Sequence, residues 1–165
     1  MARENLQDLY VEQLRDLHSA ENQILKALPK MIGKTTHPEL KSALQEHQKV
    51  TEKQVERLET IFSELGERPS GHKCVGMEGL LTEGEEALKD FEDGDVLDAA
   101  IIASAQRVEH YEMAGYGTVR SMANMLGFDK QADLLQETLN EEGEADHLLT
   151  GLAERVVNID ALKAD

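Results

Sequence analysis

Five carboxylates and one imidazole stand where helical spacing calls for apolar residues. At ~100° per residue, Glu21 shares a helix face with Leu14, Leu17, Leu25 and Leu28, and His47 falls among Leu40, Leu44, Thr51, Gln54 and Leu58. Glu109 and Glu112 share theirs with Ile102, Ala105, Tyr116 and Val119, while Glu142 and Asp146 are bracketed by Leu135, Leu139, Leu149 and Ala153. Burying these groups together is costly, because like charges in a low-dielectric interior drive one another toward the protonated form. A pair of cations is the simplest compensation. Oxygen-rich ligands with a single imidazole suit two iron ions, with manganese the alternative.

Each residue also has an ordinary reading. A single acid on an apolar face sits at the stripe's edge with its head in water, and a single inward histidine is a hydrogen-bonded core residue. Thr51 and Gln54 read as hydrogen-bonding groups of the core, and Tyr116 as core filler rather than a redox participant. Agreement among four helices at similar depth favours the metal reading. Glu144 and His147 have the Glu-x-x-His spacing of di-iron bundles. They point more than about a third of a turn from the Leu135/Leu139/Leu149 face. Glu142 with Asp146 is therefore the preferred pair, and Glu144 with His147 the alternative. His110 lies off the Glu109/Tyr116 line, and Glu46, Glu52, Glu141 and Glu85-Glu86 belong to solvated faces. Cys74 has no partner cysteine and reads as a buried, inert residue rather than a thiol activated by Lys73. No phosphate-binding loop, Gly-x-Gly-x-x-Gly turn or Ser/His/Asp arrangement occurs.

Four long amphipathic stretches must position these groups. The spacing predicts main helices over about residues 4–32, 37–66, 95–126 and 129–158, with no period-two segment that would make a strand. Pro29 should bend or end the first. Thr36-His37-Pro38 supplies a cap with Pro at the first helical position of the second. Gly127 should stop the third, and Asp129 is an N-cap candidate for the fourth. The joins between helices one and two and between three and four are short, so each pair is an antiparallel hairpin. Residues 67–94 form a long connection carrying a short helix, with Met77, Leu80, Leu81, Gly84, Leu88 and Phe91 on one side. Such a connection can recross the length of a main helix. The expected architecture is thus all-α: one domain over residues 1–165, a ferritin-like four-helix bundle of two antiparallel hairpins joined by a long crossover. An up-down-up-down bundle with a surface loop is the alternative.

Composition agrees. The chain has 165 residues, 40% of them hydrophobic, with 33 acids against 17 Lys and Arg for a net charge of −16. That balance repels phosphate backbones and anionic lipid, so neither nucleic acid nor membrane is an expected partner. No apolar run reaches the ~18–20 residues of a spanning helix, and the first residues lack the apolar core of a secretory signal. A lone cysteine fits a cytoplasmic protein.

Ser19-Ala20-Glu21-Asn22-Gln23, Lys73-Cys74 with Met77-Glu78-Gly79-Leu80, and Asp98-Ala99-Ala100 resemble the YciF/YciE-like bacterial stress-response proteins. The most specific likeness is Val108-Glu109-His110-Tyr111-Glu112 with Gly115-Tyr116-Gly117-Thr118, and Glu137-Thr138-Leu139 with Glu141-Glu142 and Asp146 continues it. The resemblance implies a rubrerythrin-related bundle, a homodimer, and a dinuclear metal site. Carried over by position, Glu21, Glu109, Glu112, Glu142 and Asp146 match the family's inward acids and His47 its second-helix histidine. Glu112 and Glu142 would bridge, Glu21 and Asp146 would be terminal, and Glu109 terminal or exchangeable. The chain departs from some members at Lys49 and Glu52, where they carry Glu-x-x-His, so that half of the site should be poorer in ligands. Two expectations follow: a di-metal carboxylate protein able to oxidise Fe(II) with oxygen or peroxide, or a non-enzymatic helical dimerisation module with a degenerate site.

Overall fold

The computed structural model describes residues 4–164, and every regular element among them is helical. The elements are α1 (Leu6–Lys34), α2 (Pro38–Leu65), α3 (Val75–Asp90), α4 (Asp95–Met125), α5 (Asp129–Leu152), a π-helical turn (Ala153–Val157) and α6 (Asn158–Lys163). No helix of the described residues is long and apolar enough to cross a membrane.

Local chemistry sets most of the helix ends. Asn5 caps α1 by accepting from the Asp8 N–H, and His37 caps α2 ahead of Pro38. Gly66 ends α2 at φ 67°, in the left-handed region where a side chain is strained. Of the two outcomes expected at Pro29, it does not end α1, which runs on to Lys34, because burial of Leu28 and the Thr35 cap outweigh one missing amide. Three other expectations are corrected. The N-cap of α5 is Phe128, with Asp129 already helical. Phe91 is the exposed C-cap of α3 rather than part of its packed side, which is made by Met77, Gly84 and Leu88. The last stretch is also not one α-helix to residue 158: it changes to a π-turn at Ala153 and resumes as α6.

Two apolar clusters fix how the long helices run. One gathers Ile24 and Leu28, Leu40 and Leu44, Leu97 and Ile101, and Leu149 and Leu152. The other gathers Tyr10 and Leu14, Leu58 and Phe62, Val119 and Ala123, and Ala132 and Leu135. The end of α1 therefore meets the starts of α2 and α4 and the end of α5. It follows that α1 is antiparallel to α2 and α4, α5 is antiparallel to α2 and α4, and α2 and α4 point the same way. The span between them holds α3, which packs on α1 and α4.

Two details hold this arrangement close. A Cβ on Gly115 would come within 2.7 Å of Leu17 Cδ2, so a larger residue there would have to turn the buried Leu17 side chain aside. Asp98, fully buried, accepts from the Thr36 N–H (2.9 Å), the Thr36 hydroxyl (2.6 Å) and the His37 N–H (2.9 Å). It clamps the α1–α2 turn to the start of α4, and its charge is repaid by those three donors.

Candidate metal centre

Between the two apolar clusters every long helix turns a polar group inward. Glu21 follows Leu17 and precedes Ile24, His47 follows Leu44, Glu109 and Glu112 lie between Val108 and Tyr116, and Glu142 lies between Leu135 and Leu149. Ligand atoms of His47, Glu109, Glu112 and Glu142 all lie within 4.8 Å of one another. Glu21, Glu112 and Glu142 have no solvent exposure and Glu109 has 2%. The His47 side chain is 11% exposed.

No donor from outside the cluster reaches either oxygen of Glu112 or of Glu142, Oε2 of Glu21 or of Glu109, or Nε2 of His47. The carboxyls can pair only with one another, Glu21 with Glu112 and Glu109 with Glu142, which requires that they share protons. His47 Nε2 does lie 3.1 Å from Glu109 Oε1, an ion-pair distance without hydrogen-bond alignment. Buried polar atoms are nearly always paired, so this many orphans in one place marks a site built for something else. The electrostatics agree. Burial, reinforced by Glu142, pushes the Glu21 carboxyl up to about 8. Burial and then Glu142 also hold Glu109 and Glu112 well above the ordinary carboxyl range. Tyr116, wholly buried, donates its hydroxyl to Glu21 Oε1 and orients that carboxyl.

The remaining sequence candidates separate. Glu21 and Asp146 both lie outside that four-residue group, but Glu21 pairs with a member of it, Glu112, whereas Asp146 turns to other partners. Its Oδ1 accepts from Gln106 Nε2 at 3.2 Å and lies 3.2 Å from His110 Nε2, at the seam of α4 and α5. Glu144, His147 and His110 are exposed. Glu141 is corrected from a solvated position: it is half-buried and receives Arg57 at 2.7 and 2.8 Å and Gln54 Nε2 at 3.1 Å. Partial burial pushes its carboxyl up, but the hydrogen bonds of Arg57 and Gln54 outweigh that and leave it lowered. Arg57, which sequence reasoning missed, thus clasps α2 to α5 beside the acids. Its cue would have been an arginine beside the apolar Leu58, but partners 80 or more residues away leave no local signal.

The donor set fits divalent or trivalent cations. Carboxylates from three helices and one imidazole offer hard oxygen ligands and a nitrogen, the pattern that suits iron and manganese. Cations would neutralise the charges that burial makes costly and occupy the orphaned atoms.

The sequence profile of a domain of unknown function (DUF892) matches residues 5–162. Protein YciF of Escherichia coli K12 is 42% identical over 159 residues, which span 96% of each chain. The crystal structure of the E. coli stress protein YciF superposes with a TM-score of 0.90 at 42% identity, covering 94% of this chain and 99% of that one. YcfI of Rhodopseudomonas palustris, provisionally assigned as a structural protein, gives a TM-score of 0.86 at 46% identity, covering 89% and 94%.

Proposed function

The chain belongs to the DUF892 family, and on that premise we propose that it is a YciF-like stress protein whose helical bundle binds a dinuclear metal centre, iron first and manganese second. The observation that carries this reading is the set of orphaned buried polar atoms on Glu21, His47, Glu109, Glu112 and Glu142. Glu112 and Glu142, whose oxygens meet no donor from outside the cluster, are the bridging candidates. Glu21, Glu109 and His47 would complete the ligation. Asp146 acts instead through the seam, lending negative charge toward Glu109. The same-way run of α2 and α4 and the intervening α3 support a ferritin-like assignment of the bundle.

When bound, iron in such a setting supplies one-electron chemistry with oxygen or peroxide. The chain's own part is to position the ligands. Tyr116 fixes Glu21, the Arg57–Glu141 clasp fixes the α2–α5 spacing, and the two apolar clusters exclude water above and below. The surface charge of −16 raises the local cation concentration.

Metal analysis of protein purified without added iron, followed by anaerobic Fe(II) titration, tests the reading. Two tightly held ions per chain are expected. Fewer than about one would favour the non-enzymatic dimerisation module, since a native ligand set binds its metal tightly. Light scattering on the same samples tests the homodimer that the family likeness implies.

A further inference from the structure

Residues 67–74, which lead into α3, are held along one polar stripe of α1 formed by Glu12, Arg15, Asp16, Ser19 and Gln23. Arg15 donates to the Arg68 carbonyl at 2.9 Å and to Glu67 at 2.8 Å. Ser19 accepts the Cys74 N–H at 2.9 Å, and Gln23 Nε2 donates to the Cys74 carbonyl at 3.0 Å. These contacts neither gain nor lose a proton near neutral pH.

The contacts of His72 differ. Its Nδ1 lies 2.8 Å from Glu12 Oε1 and its Nε2 lies 2.9 Å from Asp16 Oδ1. A carboxylate only accepts and a neutral imidazole has one N–H, so both contacts are hydrogen bonds only when the ring carries both protons. Asp16 passes the contact on, because its Oδ2 accepts the Tyr111 hydroxyl at 2.7 Å and the Cys74 thiol at 3.2 Å. Tyr111 of α4 in turn lies against the first turn of α3, where a Cβ on Gly76 would meet its ring at 2.7 Å. The other charged groups nearby are engaged elsewhere, Arg15 with Glu67 and Lys73 with Glu78.

We infer that His72 is a proton-operated latch on the entry to α3, closed as the imidazolium and loosened when the ring gives up one proton. With one N–H left, the ring serves Glu12 or Asp16 and turns a lone pair toward the other, and two acceptors repel. Arg15, Ser19 and Gln23 still hold the segment, so the entry to α3 opens locally and does not come free. In acid, Glu12 and Asp16 take up protons and the charged contact fades from that side as well.

Nitrogen-15 NMR of the His72 ring tests the closed state. Two ring N–H signals, protected from solvent by their acceptors, are expected while the ring is charged. Amide exchange at Cys74, corrected for its intrinsic rate, should then report opening that rises about two- to tenfold as the ring loses a proton, the range for a partly exposed charged contact. His72→Gln cannot carry the ring's charge, so it should exchange at the higher level throughout and show no step. Glu21 in the bundle centre also titrates near neutral pH, so the step is read as the difference between the parent and His72→Gln. Ring N–H protons that exchange freely, Cys74 opening that ignores the state of the ring, or the same step in His72→Gln would overturn the inference.

Discussion

Asp16, His72, Cys74 and Tyr111 form one polar group on the flank of α1, and Glu21, His47, Glu109, Glu112 and Glu142 form another in the middle of the bundle. Both draw on α1 and α4, and both contain acids and a histidine. They differ in completeness. Asp16 accepts from the Tyr111 hydroxyl at 2.7 Å and from the Cys74 thiol at 3.2 Å, and its other oxygen lies 2.9 Å from His72 Nε2. His72 Nδ1 lies 2.8 Å from Glu12, and the Cys74 N–H donates to Ser19 at 2.9 Å. Burial pushes the Cys74 thiol up, which keeps it protonated and a donor. The Tyr111–Asp16 bond ties α4 to α1, and each of the other contacts ties the segment leading into α3 to α1. The flank is a fastening whose polar groups answer one another. In the centre Tyr116 answers Glu21, and the acids otherwise face only one another, like groups that repel when charged; that difference separates a structural network from a binding site.

The sharpest way to test the contrast is to remove one acid from the centre. Glu142→Ala should weaken Mn(II) or Fe(II) binding by more than the ~10–100-fold typical of losing a supporting contact, read by anaerobic titration. Without metal the same variant should melt no lower than the parent, because it removes the neighbour that, after burial, does most to push Glu109 and Glu112 out of their ordinary range. A variant that loses metal-free stability but keeps its metal would make the centre a structural network like the flank.

Acidity offers the next test. The Glu21 carboxyl has an ordinary value of 4.5 and is pushed up to about 8 in the fold. Between those values the native state holds more protons than the unfolded chain, so metal-free stability should fall as pH rises across that window. Glu109 and Glu112, raised by the same burial, add to the fall. Metal binding requires deprotonated carboxylates, so loaded protein should gain stability over the same range. Denaturant midpoints at several pH values, with and without Mn(II), would show the two trends. Parallel trends would count against cation binding at the acids.

The flank should respond in the opposite sense to the centre. Asp16→Ala leaves the Tyr111 hydroxyl and the Cys74 thiol with only each other, 3.0 Å apart, to bond, and should cost about 1–3 kcal/mol of stability. Its metal stoichiometry should equal that of the parent. Denaturant unfolding and metal titration on one preparation decide both points.

How much of this was legible in the sequence differs between the two regions for a physical reason. The inward acids show because Glu21, Glu109, Glu112 and Glu142 interrupt apolar stripes of period 3.6, a signal contained within each helix. Asp16 and His72 interrupt no stripe. Their partners are brought together only by docking of α3, so nothing local announces them. Asp98 is similar: the sequence marks a helix start but not the turn it clamps. Asp146 shows the limit of rotation as a guide. It follows Glu142 by four residues, an offset of only ~40°, and that offset with Gln106 and His110 nearby carries its carboxylate into the seam. Rotation alone makes Glu141 a solvated residue, and Arg57 from α2 draws it inward.

The smallest expected effect checks whether rotation has been read correctly on α5 at all. Glu144 and His147 satisfy the Glu-x-x-His spacing of di-iron bundles, yet both are exposed, while Glu142, two residues before Glu144, is fully buried. Exposed side chains without partners contribute little, so the double variant Glu144→Ala, His147→Ala should shift stability by no more than about 0.5 kcal/mol. Metal stoichiometry should be unchanged, because neither side chain is within the group that surrounds Glu112. Loss of metal in the double variant, with binding retained in Glu142→Ala, would mean that α5 turns its other face inward when metal is present. The contrast between flank and centre would then survive for α1, α2 and α4 alone, since His47, Glu109 and Glu112 are placed by helices that this variant does not touch.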